Sequence, residues 1–259
     1  MFSICKQTVP ATGVEFAIKC NFFNNLEKCL VIGGSNILKV YRILPDVEFN
    51  TNEKFSGMID CLLMMTNESL KTFPHSLSEN RPPNMRMECL ASYELFGNIM
   101  SLQSVSLNNS PRDALLISFQ EAKLSVVQHD PDTFELKTLS LHYFEEDDVK
   151  GGWTSTHNIP IVRVDPDNRC SVMLVYGKKL VVLPFRKDNT LDEIEIQDVK
   201  PMKKTPMQLI TKTPILPSYL IALKDLDEKI DNILDIQFLQ GYYEPTLLIL
   251  YEPVKTYPG

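Results

Sequence analysis

Residues 114–127 read Ala-Leu-Leu-Ile-Ser-Phe-Gln-Glu-Ala-Lys-Leu-Ser-Val-Val, two short apolar segments separated by a polar turn. Each segment has the length of a β-strand and is rich in Leu, Ile and Val. Because apolar residues occupy nearly every position, both strands are predicted to be buried on two faces. Such a hairpin is typical of the inner strands of a β-propeller blade, which lie between neighbouring blades.

The hairpin pattern occurs four times along the chain, although the sequences of the four copies differ. Each copy holds an apolar strand, a polar turn and a second strand rich in Val, Leu and Ile, and three copies add a further turn and strand. The copies lie at residues 16–41, 99–127, 161–183 and 233–251. We therefore predict an all-β fold, a partial β-propeller with four-stranded antiparallel blades and a last blade cut short.

Two other segments refine this prediction. The alternation of Leu139, Leu141 and Tyr143 is typical of a strand with one solvated face, as expected for the outermost strand of a blade. Residues 223–233 place Leu and Ile at helical spacing with acidic residues between them. That spacing is compatible with a helix here and nowhere else in the chain, and a strand pair at the same place stays open.

The spacing of the copies predicts insertions. They start roughly 60 to 85 residues apart, more than the ~40 to 50 of a compact blade. The segments at about 44–86 and about 187–217 contain prolines and lack strong periodicity, so both are expected to be loops. Within the first, residues 58–65 (Met-Ile-Asp-Cys-Leu-Leu-Met-Met) either pack on the side of the propeller or dock a partner.

Charge and hydropathy exclude several classes of function. The formal net charge of -7 argues against a surface that coats nucleic acid, because such a surface must be basic to release counterions from phosphates. No stretch reaches the ~20 apolar residues of a membrane span, and residues 1–23 lack the apolar core of a signal peptide. Scattered cysteines without a secretory signal indicate reduced thiols in the cytosol or nucleus.

The spacing of cysteines and histidines does not match a metal site. No Cys-x-x-Cys pair occurs, and the histidines lie far apart in sequence. We expect no metal and no cofactor, and histidines that are structural or solvated. The residues concerned are Cys5, Cys20, Cys29, Cys61, Cys89, Cys170, His75, His129, His142 and His157.

No catalytic motif is visible, so the chain is predicted not to be an enzyme, and no residue is assigned a catalytic role. Gly33-Gly34-Ser35 lacks the later glycine and the Lys-Ser/Thr pair of a phosphate loop, which leaves a tight hairpin turn. The acidic run at 145–148 indicates a solvated loop rather than a pair of catalytic carboxylates. Trp153 either caps a blade edge or anchors a partner. Lys178-Lys179 and Lys203-Lys204 are expected to be solvated rather than to touch RNA.

Seven segments of the chain carry a resemblance to a known family: residues 12–16, 20–25, 112–116, 122–127, 136–146, 163–170 and 241–250. They are similar to the family of the largest subunit of the cleavage and polyadenylation specificity factor. That family of triple-propeller scaffolds also includes the large subunit of the damage-specific DNA-binding protein and a propeller subunit of a splicing factor, but residues 141–146 and 241–245 favour the polyadenylation member. The resemblance implies that residues 1–259 are the N-terminal part of a first propeller, about half of a seven-bladed ring, truncated within a blade.

The resemblance implies a non-catalytic role in the nucleus. Members of this family hold the subunits that read the AAUAAA signal in pre-mRNA, and they connect those subunits to the endonuclease and to poly(A) polymerase. An acidic chain fits that role, since RNA can be left mainly to the other subunits. The alternative is a related propeller adaptor in a ubiquitin ligase, DNA-repair or splicing complex. The residues that contact partners or RNA are not identified by the sequence.

Overall fold

The computed structural model describes residues 13–45, 85–107, 110–120, 122–144, 159–186 and 213–253. Its strands are β1 (Phe16–Cys20), β2 (Cys29–Gly34), β3 (Ile37–Pro45), β4 (Met85–Glu94), β5 (Ile99–Val105), β6 (Ala114–Phe119), β7 (Lys123–His129), β8 (Leu136–Tyr143), β9 (Val162–Val164), β10 (Cys170–Val175), β11 (Lys179–Pro184), β12 (Tyr219–Ala222), β13 (Ile230–Leu239) and β14 (Thr246–Pro253). A 3₁₀ helix covers Leu223–Asp225.

These strands form four sheets in chain order, which we call blades 1 to 4. Blade 1 is β1 to β4, blade 2 is β5 to β8, blade 3 is β9 to β12, and blade 4 is β13 with β14. The hairpins are antiparallel, so that Leu116 of β6 lies opposite Val126 of β7. The predicted all-β fold with four-stranded blades is confirmed, and within the described residues the fourth sheet holds two strands.

The chain divides into two compact units. One comprises Met1–Arg42 together with Cys89–Gly259, and it contains the hydrophobic clusters and blade junctions considered below. The other is Ile43–Glu88, of which the structure describes residues 43–45 at the end of β3 and 85–88 at the start of β4.

The second strand of blade 2 separates two hydrophobic clusters. All six residues of β6 are buried. Because side chains alternate across a strand, Leu115 and Ile117 pack into the cluster shared with blade 1, whereas Ala114 and Leu116 pack into the cluster shared with blade 3. The predicted burial on both faces is therefore confirmed for this strand. Full burial of one such Leu side chain contributes about 1.5–3 kcal/mol.

Blade 3 repeats the arrangement with β10. All six residues of this strand are buried. Met173 and Val175 belong to the cluster between blades 2 and 3, while Val172 and Leu174 belong to the cluster between blades 3 and 4. β6 and β10 thus each lie between two hydrophobic clusters, which explains why neither strand has a polar face.

A β-bulge changes the outer strand of blade 2. Val126 pairs with Ser140 and Val127 pairs with Thr138, so Leu139 is the extra residue. Leu139 packs against the cluster between blades 2 and 3, whereas Leu141 is 58% exposed. The outer strand meets solvent, as predicted, and the bulge places Leu139 against the core while Leu141 and Tyr143 are exposed. A bulge breaks the period of two, and the apolar letters alone do not reveal it.

Of the two alternatives at residues 223–233, the helix is wrong, and a strand pair is found from Ile230 onward. Only Leu223–Asp225 are helical, as one 3₁₀ turn, and β13 begins at Ile230. The Ile233 amide donates to the Gly177 carbonyl at 3.0 Å, and Ile236 is buried in the cluster between blades 3 and 4. Pairing of β13 with β14 therefore prevails over helical spacing, although the register is irregular around Ile233. Leu226 is left 66% exposed.

Most of both predicted insertions lies outside the described residues, at 46–84 and 187–212, and so do residues 58–65. The end of the second segment is described. Ile215 there forms an isolated antiparallel bridge with Phe185 and packs against the cluster between blades 2 and 3. Residues 213–217 thus lead the chain back to blade 3 before β12.

Candidate interaction surface at the blade junctions

The connection between the first and second strand of a blade, here called its first turn, makes polar contacts with the first turn of the next blade. In blade 1 the Asn24 side-chain oxygen accepts hydrogen bonds from the amides of Leu26 and Glu27, at 2.9 and 3.2 Å. Asn at the start of a turn favours this local bonding, which fixes the loop without help from other strands. The first turns are therefore ordered enough to serve as contact points.

The first turns of blades 1 and 2 are joined by three hydrogen bonds. The Asn21 amide donates to Asp113 Oδ2 at 2.8 Å, and the Asp113 amide donates to the Asn21 carbonyl at 2.9 Å. Arg112 Nε donates to the Phe23 carbonyl at 2.7 Å. Gln128 Nε2 in turn donates to the Arg112 carbonyl at 2.9 Å. Residues 20–25 and 112–116, two of the segments that carry the family resemblance, therefore meet in space.

The first turns of blades 2 and 3 are joined through Asn168. Its side-chain oxygen accepts from the Ser106 amide at 3.1 Å. Asn168 has a left-handed φ of 53°, and its amide donates to the Asp165 carbonyl at 2.8 Å. Asn tolerates this backbone region better than most residues. Pro166 suits the second position of the turn, directly after Asp165. The sequence at 165–169 thus encodes the turn that reaches blade 2.

The first turns of blades 3 and 4 are joined through Arg169. Its guanidinium binds both carboxylate oxygens of Asp165, at 2.6 and 2.8 Å, and lies 3.3 Å from Asp167 Oδ2. Arg169 Nη1 donates to the carbonyls of Tyr243 at 2.6 Å and Tyr242 at 3.4 Å. Residues 163–170 and 241–250, two further family segments, are therefore in contact.

The buried carboxylate of Asp165 is stabilised in its charged form. The side-chain hydrogen bond from Arg169 lowers the pKa of Asp165, and burial opposes that effect without overcoming it. The Asp165 side chain has no exposed surface, and that of Arg169 is 16% exposed. This charge-assisted bidentate pair holds the guanidinium in the orientation from which it reaches blade 4.

His129 lies in an aromatic cluster at the junction of blades 1 and 2. Its ring centroid is 4.7 Å from that of Phe23 and 5.5 Å from that of Phe22. Burial lowers the pKa of His129, and the nearby charge of Arg112 lowers it further. The imidazole is buried, and neither ring nitrogen has a hydrogen-bond partner within the described structure. His129 therefore acts as a neutral packing residue, in line with the structural role expected from the sequence.

His142 links the outer strands of blades 2 and 3. Its ring nitrogens lie 3.2 Å from Ser218 Oγ and 3.1 Å from Ser140 Oγ. Burial lowers the pKa of His142. Within the described residues both ring nitrogens are bonded to hydroxyl groups, which is a structural arrangement rather than a base held by a carboxylate.

The remaining candidate residues lie partly within and partly outside the described residues. Gly33-Gly34-Ser35 lies in the β2–β3 hairpin, with Ser35 at a φ of 49°, so the hairpin turn is confirmed. Cys20 and Cys29 are free and buried, and Cys20 has a pKa raised to about 12, mainly by burial. Positions outside the described residues are Cys5, Cys61, His75, residues 145–148, Trp153, His157 and Lys203-Lys204.

The described part of the chain contains neither a metal-binding cluster nor a membrane-spanning helix. No group of three or more His, Cys, Asp or Glu residues there could hold a metal ion. No helix in those same ranges is long and apolar enough to cross a membrane. Several large apolar side chains of the described residues are exposed to solvent.

Those exposed side chains include several at turns. Tyr243, between β13 and β14, is 97% exposed, and Phe96, between β4 and β5, is fully exposed. Both turns are held by hydrogen bonds: that of Tyr243 by Arg169, and that of Phe96 by backbone bonds from Leu95 and Ile99 to blade 1. These residues were not predicted from the sequence, because an aromatic residue in a loop does not show whether hydrogen bonds hold its turn.

Comparison with known proteins gives one family. Residues 60–256 match the family model described as RSE1/DDB1/CPSF1 first beta-propeller. Cleavage and polyadenylation specificity factor subunit 1 of Drosophila melanogaster is 65% identical over 260 residues, which cover 100% of this chain and 16% of that protein. The probable subunit 1 of Caenorhabditis elegans is 30% identical over 262 residues, 100% of this chain and 15% of that protein.

A fungal relative extends the range. Protein cft1 of Schizosaccharomyces pombe is 28% identical over 269 residues, which cover 99% of this chain and 18% of that protein. The chain therefore spans less than a fifth of the length of these curated relatives.

Proposed function

This chain belongs to the RSE1/DDB1/CPSF1 first beta-propeller family, and from that premise we propose that it is part of a scaffold subunit of the nuclear pre-mRNA cleavage and polyadenylation machinery. The observation that carries the proposal is the 65% identity, over the whole chain, to a protein named for that machinery. Relatives in a nematode and a fission yeast match along nearly the full chain as well.

In this role the chain supplies blades of a first propeller, with insertions at about 44–86 and about 187–217. It performs no chemistry itself. Instead it positions the subunits that read the polyadenylation signal, the endonuclease and poly(A) polymerase, and RNA is bound mainly through the assembled complex. The polar contacts between first turns support this proposal, because they fix neighbouring blades to one another and make a rigid platform for docking.

The alternative expected from the sequence, an adaptor in a ubiquitin ligase, DNA-repair or splicing complex, is not favoured, because the relatives that match the whole chain are named for cleavage and polyadenylation. Affinity purification of the tagged full-length protein from nuclear extract separates the two. Recovery of polyadenylation-signal readers and the endonuclease is the expected result. Recovery of a cullin or of spliceosomal proteins in their place would overturn the proposal.

A further inference from the structure

Ser110 lies in the first turn of blade 2, directly before Pro111, and this is the one Ser-Pro pair in the sequence. A serine followed by proline is the acceptor sequence of proline-directed protein kinases, which transfer phosphate to its hydroxyl. Proline disfavours a helical backbone at the residue before it, so Ser110 is biased towards the extended form in which kinases bind their substrates. Ser110 is half-buried and Pro111 is exposed. Sequence and exposure together make Ser110 a candidate modification site.

The hydroxyl of Ser110 is an acceptor of hydrogen bonds in this structure. The Arg112 amide donates to Ser110 Oγ at 3.2 Å, and Gln128 Nε2 donates to the same oxygen at 2.8 Å. Over the described residues, no group accepts the hydrogen of this hydroxyl. Phosphoryl transfer removes that hydrogen and replaces it with a group whose oxygens are all acceptors. Two donors that converge on Oγ are therefore already in place for a phosphate.

Gln128 connects Ser110 to the junction of blades 1 and 2. The same Nε2 that donates to Ser110 Oγ also donates to the Arg112 carbonyl, at 2.9 Å. Arg112 Nε in turn donates to the Phe23 carbonyl of blade 1 at 2.7 Å. A group attached to Ser110 Oγ must displace Gln128 or the Arg112 amide, because both contact that oxygen directly. The change at Ser110 is thus passed to the residue that reaches blade 1.

A phosphate at Ser110 would oppose the contacts that Arg112 and Asp113 make with blade 1. It adds about two negative charges and three strong acceptor oxygens. A guanidinium bonds more strongly to a phosphate than to a neutral carbonyl, which draws Arg112 away from Phe23. The carboxylate of Asp113, which holds the Asn21 amide, lies three residues along the same turn and carries the same sign of charge. Both effects weaken the junction.

We propose that Ser110 is a phosphorylation site for a proline-directed protein kinase, and that its phosphate loosens the contact between the first turns of blades 1 and 2. In the reaction Ser110 Oγ bonds to the γ-phosphorus of ATP, while the bond from that phosphorus to the oxygen bridging the β- and γ-phosphates breaks. ADP leaves, and the hydroxyl hydrogen passes to the catalytic aspartate of the kinase. The proposal goes beyond the proposed scaffold function and does not depend on it.

The test treats phosphatase-treated full-length protein with a mitogen-activated protein kinase and ATP, and mass spectrometry locates the phosphate. We expect phosphate on Ser110. Hydrogen exchange should then show the Asn21 amide exchanging at least about threefold faster than before kinase treatment. Ser110→Ala is the first control. It removes the acceptor oxygen without adding charge, and the exchange of Asn21 in this variant should be the same before and after kinase treatment.

Thr213 supplies a second control, because it also precedes a proline and is exposed. Its Oγ1 donates to the Ile215 carbonyl at 3.3 Å, in the segment that leads to blade 3. Thr213→Ala should therefore respond to the kinase at Asn21 as the wild type does. Absence of phosphate on Ser110 would overturn the proposal. So would phosphate on Ser110 with unchanged exchange at Asn21, or an equal acceleration in kinase-treated Ser110→Ala.

Discussion

Asn21 and Asp113 exchange two hydrogen bonds across the junction of blades 1 and 2, although they lie 92 residues apart in sequence. One bond joins the Asn21 amide to the Asp113 carboxylate at 2.8 Å, and the other joins the Asp113 amide to the Asn21 carbonyl at 2.9 Å. Removing the charged acceptor of a part-buried amide lowers the free energy of unfolding by about 1–3 kcal/mol.

Asp113→Ala should therefore loosen the first turn of blade 1. Hydrogen exchange of the full-length protein should show the Asn21 amide exchanging about tenfold faster or more, since 1.4 kcal/mol corresponds to a factor of ten. Asp113→Asn keeps an acceptor oxygen and should change exchange much less. Equal exchange rates in the wild type and the alanine variant would show that this contact does not hold the turn.

Leu116→Ala should destabilise the junction of blades 2 and 3 strongly. Leu116 is fully buried, so the substitution removes apolar contacts and leaves a cavity, which typically costs about 2–5 kcal/mol. Urea unfolding of the full-length protein, followed by limited proteolysis at 110–144, measures the loss. Leu141→Ala is the matched control, because Leu141 is 58% exposed and its truncation should stay within about 0.5 kcal/mol. Similar midpoints for the two variants would contradict the assigned burial.

Lowering the pH should weaken the junction of blades 1 and 2 through His129. Burial and Arg112 lower the pKa of His129, while Asp130 raises it by a smaller amount. Since the folded pKa lies below the unfolded value of about 6.5, the stability contribution is complete above that pH and decreases as the pH falls below it. The measurement is the urea midpoint of the full-length protein between pH 7.5 and 5.

His129→Phe should remove part of that pH dependence while keeping the aromatic packing. His142 also has a pKa lowered by burial, so His142→Gln serves to separate its share. A pH profile unchanged by His129→Phe would show that the pKa of His129 is the same in the folded and unfolded states. Asp165 does not contribute between pH 7.5 and 5. Its pKa is lowered from the ordinary carboxyl value of 3.8, so the stability that it contributes is lost only below about that pH.

The chain should bind RNA weakly and without sequence preference. Its net charge is -7, and nonspecific affinities of proteins with several phosphate contacts are around 10⁻⁴ to 10⁻⁶ M at physiological salt. Fluorescence anisotropy with AAUAAA and a scrambled hexamer, using the folded first propeller, is the measurement. A preference for AAUAAA of tenfold or more, about 1.4 kcal/mol, would mean that the propeller reads RNA directly.

Strand composition predicted the sheets but not the contacts between them. Strands such as β6 and β10 are recognisable because burial on both faces demands apolar residues throughout. The bulge at Leu139 and the strand at Ile230 are decided by pairing with other strands, which a local pattern cannot report. The contact of Arg169 with Tyr243 spans 74 residues. Such a contact depends on the finished fold, so the candidate interaction surface could not be predicted from the sequence.

The two-sided burial of β6 also bears on how the protein tolerates substitution. Leu115 and Leu116 are chain neighbours, yet they pack in different clusters, whereas Leu115 and Ile117 share one. Substitutions that share a packing environment influence each other energetically, and independent ones add. Compensating substitutions during evolution should therefore occur at positions two apart along such a strand, because those positions share a cluster. One blade junction can then drift in sequence while the adjacent junction stays fixed.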